Sequence, residues 1–510
     1  MNRRNFIKNV SCGAMGTTTL LSSLTSLGAL NGLVNTNQSQ SGEDYKALVC
    51  ILLAGGIDSF NMLIPTGNGS NGDNGFSEYN ALRTDLKIVP TASKPILQLN
   101  NLHNHSFRGK VSPYASFGVH PEMVGIRDLF NTGKASLMAN IGTLVEPIAN
   151  KTEFNSRQKK LPGGIYSHSD QIMQWQTSVP QSREALGVGG RIADLLNANN
   201  TNTEISMNIS LAGKNIFQRG KDISEYSISR NVDPNNVGLQ SFPSGYSNSG
   251  LLNDLRTTAI DSLVSQTYAN LLQKTFSTTT KKSMGAFDTF KEALKRVPSI
   301  TSPFPTSSLA QDLQAIHKVM SVRGQLGAKR QIFFVTYGGW DMHDGLISGL
   351  NSRLPIVSQA MKAFYDSTVD LGIADKLTTF TISDFARTLT SNGNGSDHAW
   401  GGNNIIMGGA LANGPGNTGK IFGAYPKMDA SNNNVTNVSN RGNFIPTVST
   451  DEMYAELALW YGVSPSDLCY VLPNLSNFYS YSANNYPIGF MDIPSGSISN
   501  VNHPYNCLTY

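Results

Sequence analysis

The chain has 510 residues with a net charge of only +4, and charged residues make up 15% of it. No block of Lys and Arg interleaved with aromatics is present, which excludes nucleic acid as a partner. The length, less an N-terminal signal, suits one large domain or two ordinary ones, and abundant Asn, Ser, Thr and Gly give the uncharged polar surface common among secreted proteins.

The first element in chain order is a targeting segment. Arg3-Arg4-Asn5-Phe6-Ile7-Lys8 is followed by a modestly apolar stretch from Val10 to Val34. A basic start, an apolar middle and a small-residue exit are the parts of a bacterial export signal, and the paired arginine marks the Tat route. Residues 1–36 are therefore expected to be a Tat signal peptide, engaged by the Tat translocon and directing the chain to the periplasm, the cell surface or the extracellular space. Ser, Thr, Gly and Asn interrupt the stretch, which makes it a poor membrane span. Tat substrates fold before export, which lets a metal or cofactor load in the cytoplasm.

Next comes Tyr45–Leu53, a continuous apolar run ending in Ala54-Gly55-Gly56. Such a run bounded by glycines predicts a strand buried on both faces, as in parallel sheets. A helix over Pro121–Asn131 and a strand over Ala135–Ile141 follow. A third strand spans Gln331–Tyr337, then Leu350, Leu354, Val357, Met361 and Phe364 recur at helical spacing, and a fourth strand spans Leu377–Ile382. Strand, helix and strand with short joints argue for a doubly wound α/β sheet. Between them, about 195 to 328, lies an Asn/Ser/Gly-rich stretch and then helical periodicity over 251–276 and 309–322. It is expected to be an insertion or cap. Asn-rich 429–443 is expected to be a surface loop.

Of the cysteines, Cys12 lies in the signal and Cys50 reads as a small buried hydrophobe in its strand. Cys469 and Cys507 could pair in an oxidising compartment. No Cys-x-x-Cys occurs, which argues against a thiolate zinc site.

Ligands collect beyond the carboxyl ends of strands in open α/β sheets. Three predicted strands carry metal-ligand residue types there. The first leads into Gly55-Gly56-Ile57-Asp58, the third into Gly338-Gly339-Trp340-Asp341-Met342-His343, and the fourth into Ser383-Asp384-Phe385-Ala386-Arg387. Shortly after comes Ser396-Asp397-His398. Any one of these aspartates, taken alone, reads more readily as a helix cap or turn former. Several such loops together point to a divalent ion, whose ligands are carboxylates and imidazoles. Tyr166-Ser167-His168-Ser169-Asp170 adds a serine beside a histidine, with helix capping as the plain alternative. His120 reads as a structural histidine before a helix.

These stretches resemble the DUF1501 family, a group of often Tat-exported bacterial proteins of poorly defined function. The family is placed in the alkaline phosphatase/sulfatase-like superfamily. The matching stretches are Leu48–Asn61, Phe117–Pro147, Tyr166–Trp175, Gly338–His343, Thr381–Thr388, Ser396–Gly409 and Arg441–Val463. The resemblance implies an alkaline-phosphatase-like α/β core, a mostly parallel sheet flanked by helices, over 45–510, with the largely helical insertion at about 195–328. It implies Asp58, Asp341, His343, Asp384 and His398 as metal ligands, for zinc, calcium, manganese or iron. Ser167 is then the candidate nucleophile, His168 an acid or base, and Arg387 a balance for developing charge. Two features depart from the superfamily: Phe385 stands where a histidine commonly follows the later aspartate, and the mid-chain pair is Asp-x-His. One ion, a differently arranged pair, or a site without activity fits these departures.

The expected function is hydrolysis of a phosphate or sulfate ester, on a small molecule or a glycan, outside the cytoplasm. The alternative is a non-catalytic secreted binding or assembly protein, acting with a co-exported partner protein. Trp175, Trp340 and Trp400 lie near the motifs and are expected to serve in core packing.

Overall fold

Alternation along Lys46–Ala54 (β1) sends Ala47, Val49, Ile51 and Leu53 into one hydrophobic core and Leu48, Cys50 and Leu52 into another. A strand buried on both faces needs cover on each side, which is why its unbroken apolar run belongs to a helix-flanked parallel sheet. The structure, a computed structural model, describes residues 44–69, 72–100, 105–232, 258–259, 262–481 and 485–493. The expected Tat signal at 1–36 lies outside these residues.

β1 is central in a nine-stranded sheet. The other strands are Ala135–Gly142 (β2), Asn208–Ser210 (β3), Tyr226–Ser227 (β4), Arg330–Gly338 (β5), Leu377–Ser383 (β6), Gly402–Gly408 (β7), Ile421–Gly423 (β8) and Val448–Ser449 (β9). Their order is β8-β2-β7-β6-β1-β5-β3-β4, with β9 also on β2. β1 runs parallel to β5 and β6, and β3, β4, β8 and β9 also pair in parallel. β7 is antiparallel to both β6 and β2. The fold is thus mixed α/β with a mostly parallel sheet, as expected.

The helices of eight or more residues are Gly75–Arg83 (α1), Val124–Asn131 (α2), His168–Thr177 (α3), Val188–Leu196 (α4), Leu271–Leu294 (α5), Ser308–Ser321 (α6), Leu346–Asp370 (α7) and Thr450–Tyr461 (α8). On one face of the sheet α2, α6 and α7 bury Ile126, Leu313, Ile316, Leu354 and Phe364. On the other, α4 and α8 bury Ile192, Met453, Tyr454 and Leu457, joined by Trp175 of α3. Each such side chain contributes about 1.5–3 kcal/mol when taken fully out of water.

Within 195–328, β3 and β4 extend the main sheet at one edge, and α5 and α6 bury Phe290, Leu294, Leu309 and Leu313 in the first core. The stretch 429–443 carries part of a short hairpin, Asn437–Ser439 against Asn443–Phe444. Cys50 is buried with a free thiol. Cys469 is disulfide-bonded, and Cys507 lies outside the described residues. Among the described residues no helix is long and apolar enough to cross a membrane.

Candidate functional site

The register sets Ala54 of β1 opposite Gly338 of β5, and Leu53 opposite Ser383 of β6. Three parallel strands therefore end level, and their loops meet. Gly55 turns off β1 with φ 122°, and a Cβ on it would lie 2.4 Å from the Asp341 nitrogen. The loops after β1 and β5 can approach this closely only over a bare glycine. The Gly55 N–H donates to Asp384 Oδ1 at 3.0 Å, which ties in the loop after β6. Because β7 is antiparallel, the segment leading into it returns to the same edge, where Arg387 and His398 form an isolated bridge. Helix α3 starts there with His168, capped by Ser167, whose side chain accepts the Asp170 N–H.

Three imidazoles converge on one carboxylate. His168 Nε2 lies 3.6 Å from Asp341 Oδ2, while His343 Nε2 and His398 Nε2 lie 3.2 and 3.7 Å from Asp341 Oδ1. Each ring is held from behind at Nδ1. His168 Nδ1 is 2.6 Å from Asp384 Oδ2, His343 Nδ1 is 3.3 Å from Asp397 Oδ1, and His398 Nδ1 is 2.8 Å from the Tyr166 carbonyl. A carbonyl or carboxylate only accepts, so hydrogens on Nδ1 leave the Nε2 lone pairs facing inward. Tyr166 adopts φ 76°, an uncommon conformation for a non-glycine residue. Its carbonyl faces His398 from this conformation, and its hydroxyl accepts from Asn443 at 2.7 Å.

The electrostatics of this arrangement call for a cation. His343 Nε2 and His398 Nε2 are 2.8 Å apart, so two lone pairs would face each other beside an anionic oxygen. A proton or a metal ion between them removes that repulsion. Burial holds the His398 imidazole below its usual range, and the nearby Arg387 and histidines add to this against the pull of the Tyr166 carbonyl. Burial alone would raise Asp341, but the hydrogen-bonded Arg387 guanidinium outweighs it and keeps the carboxylate low. His168, Asp341 and His398 offer ligand atoms that all lie within 4.8 Å of one another, a group able to hold a metal ion. Two imidazoles and a carboxylate are the donor set of a borderline divalent ion. Asp341 is 48% exposed at its side chain, so the group faces solvent.

The other sequence-derived candidates have different surroundings. Asp384 is fully buried behind His168 and orients it from the second layer. Arg387 is fully buried; it pairs with Asp341 and donates to the carbonyls of Gly55 at 2.7 Å, Gly56 at 2.8 Å and Ser396 at 2.8 Å. Asp58 is not brought to the cluster. It forms a fully buried ion pair with Arg83 at the end of α1, and burial pushes its carboxyl up against the pull of that guanidinium. The Ser167 hydroxyl serves the helix cap and lies 3.3 Å from that of Ser169. His120 is buried, its backbone N–H donates to the Met62 carbonyl at 3.2 Å and its Nδ1 accepts the Glu122 N–H at 3.2 Å. Phe385 packs its ring 4.7 Å from that of His168 and 4.2 Å from that of His398, and so walls the site. Trp175, Trp340 and Trp400 are buried.

Sequence reasoning named Asp384, though as a ligand, and missed the other two anchors. Asp397 binds His343 and is itself paired with Arg441; burial raises its carboxyl, and the bonds from Asn392 and Arg441 bring it below the usual range. Its place directly before His398 was the available signal. The Tyr166 carbonyl had none, because a backbone acceptor has no signature in residue type.

No curated protein matches the chain. Among solved structures, the lipoteichoic acid synthase LtaP from Listeria monocytogenes aligns over 83% of this chain and 81% of that one, at 8% identity and a TM-score of 0.28, a likeness too loose to bear on function. The model of DUF1501, described as a protein of unknown function, matches residues 45–451, which include every member of the histidine cluster. The chain belongs to the DUF1501 family.

Proposed function

We propose that this protein is an exported, metal-dependent hydrolase of phosphate or sulfate esters with an alkaline-phosphatase-like core. The single observation that carries the reading is the inward convergence of His168, His343 and His398 on Asp341, each ring anchored at Nδ1. His168, Asp341 and His398 would hold the ion. Their imidazoles suit zinc or iron better than calcium or manganese, which favour oxygen ligands. When bound, such an ion polarises ester oxygens and lowers the pKa of a nucleophile. The chain's own residues then have defined tasks. Asp384 and the Tyr166 carbonyl fix the two ring orientations, Phe385 excludes water from one side, and His343, half exposed at the rim, is placed to carry a proton at Nε2. The Arg3-Arg4 signal pattern and the disulfide-bonded Cys469 both support a location outside the reducing cytoplasm.

Elemental analysis of mature protein purified without chelator, beside Asp341→Ala and His398→Ala, tests the reading. Stoichiometric metal in the wild type, lost in both variants, is expected, followed by turnover of aryl phosphate or aryl sulfate esters. Absence of metal from folded wild type after ions are added back sinks it.

The occupied states of Ser167 and Arg387 favour a second reading. One hydroxyl caps a helix and one guanidinium is saturated by protein groups, so neither is free for chemistry. A non-catalytic binding or assembly protein, acting with a co-exported partner, keeps the ion for shape alone. Bound metal without hydrolysis of any phosphate or sulfate ester would select it.

A further inference from the structure

Two of the three imidazoles, His168 and His343, are anchored at Nδ1 by carboxylates, whose charge draws the ring hydrogen. His398 is anchored by a neutral carbonyl, that of Tyr166 at 2.8 Å, so its placement depends on where that carbonyl is aimed. Tyr166 aims it from φ 76°, a backbone state that a non-glycine residue keeps only where its surroundings fix it. What fixes Tyr166 therefore decides how His398 stands.

One side chain serves both ends of this arrangement. Asn443 opens the second strand of the short hairpin and is 5% exposed. Its Oδ1 accepts the Trp400 N–H at 2.9 Å, two residues beyond His398, and its Nδ2 donates to the Tyr166 hydroxyl at 2.7 Å. A backbone N–H can only donate, so the amide oxygen has to face Trp400 and the NH2 has to face Tyr166. The amide is itself held in place. The Asn443 N–H donates to Asn437 Oδ1 at 3.0 Å, and the Phe444 carbonyl accepts the Gly401 N–H at 3.0 Å. The Tyr166 ring packs against a small separate core of Leu144, Ile148, Trp400 and Ile445. One planar amide thus registers the carbonyl that holds His398 against the chain that carries it.

We propose that Asn443 is a positioning residue, which holds the Tyr166 carbonyl on His398 Nδ1 and so keeps the His398 Nε2 lone pair turned inward. The inference rests on the ion-binding reading above and adds to the site a residue that does not itself touch the ion. Outer partners of this kind fix the tautomer and orientation of a ligating imidazole.

The test uses the full mature chain with histidine-selective nitrogen-15 labelling, whose imidazole shifts report which ring nitrogen carries the hydrogen. Metal-free wild type is expected to carry the His398 hydrogen on Nδ1. Asn443→Ala and Tyr166→Phe should both move it toward Nε2, while His168, anchored by Asp384, keeps its state. Zinc affinity, read by competition against a chromophoric chelator, should fall on the order of tenfold in each variant. The double variant should lose no more than Asn443→Ala alone, because both changes cut one connection. Tyr166→Phe leaves the bond to Trp400 intact, and so decides the matter if Asn443→Ala does not fold. A His398 hydrogen that stays on Nδ1 in the folded variants overturns the proposal. An equal shift at His168 also overturns it, since that marks a general structural change. Wild type that takes up no zinc refutes the ion-binding reading, and the His398 hydrogen in metal-free protein then decides the positioning role by itself.

Discussion

At the scale of single residues, the site depends on hydrogen placement. His168 can present Nε2 to a cation only while Asp384 receives the hydrogen on Nδ1. Asp384→Asn keeps the size and an oxygen for the Gly55 N–H, but turns an amide N–H toward the ring or leaves it unmatched. Loss of such an outer partner costs about 10–100-fold in metal affinity. Competition against a chromophoric chelator should show a fall of this size with the melting temperature little changed; unaltered affinity would mean that Asp384 does not orient the ring. The strained Tyr166 is held by its hydroxyl, its N–H to Gln171 at 2.8 Å and its carbonyl together.

At the scale of elements, α8 is the unusual one, because every residue from Thr450 to Tyr461 is buried. Ser449 and Glu452 close its N-terminus in a reciprocal capping box. Asp451 stands beside them with no exposed surface. Burial first, and the charge of Glu452 second, push its carboxyl up from 3.8 to about 8, against the hydrogen bond from Ser178 and the charge of Arg191. A carboxyl raised in the folded state adds stability that is full below its unfolded pKa. That stability is lost as the pH climbs toward the folded value. The melting temperature of wild type should therefore fall from about pH 5 to about pH 8. Asp451→Asn should flatten that slope in parallel thermal scans, and an unchanged slope would assign the pH dependence to other groups.

At the scale of the whole molecule, Asp58 and Arg83 join three segments distant in sequence. Asp58 follows β1, Arg83 ends α1, and Arg83 Nη1 donates to the carbonyls of Thr388 at 3.2 Å and Leu389 at 3.0 Å beyond β6. Arg83→Met removes one partner of a fully buried pair and should cost about 3–5 kcal/mol, because the stranded carboxylate has no solvent. Adding Asp58→Asn should restore part of the loss. Denaturant unfolding of both variants distinguishes this from a packing defect, which the second change would not relieve.

The sequence by itself determined the strands whose two faces are both apolar. β1, β2, β5 and β6 were legible as unbroken runs, and α7 as a period of 3.6, because both patterns follow from which side chains leave water. It also placed Asp341, His343 and His398 on strand-end loops, where parallel topology gathers ligands. α8 stayed hidden, since a helix buried all round has no polar face to mark its period, although Ser449-x-x-Glu452 was a usable start signal. β7 was hidden too, as its Asn403-Asn404 pair masks a short strand. Only the tertiary structure decided that β7 reverses direction and so returns His398 to the strand ends. It also decided that Asp58 belongs to Arg83, and that Asp384 and the Tyr166 carbonyl stand behind the histidines. The reason is that residue type shows what a side chain can bind, whereas its partner depends on register, strand direction and backbone carbonyls contributed from far along the chain.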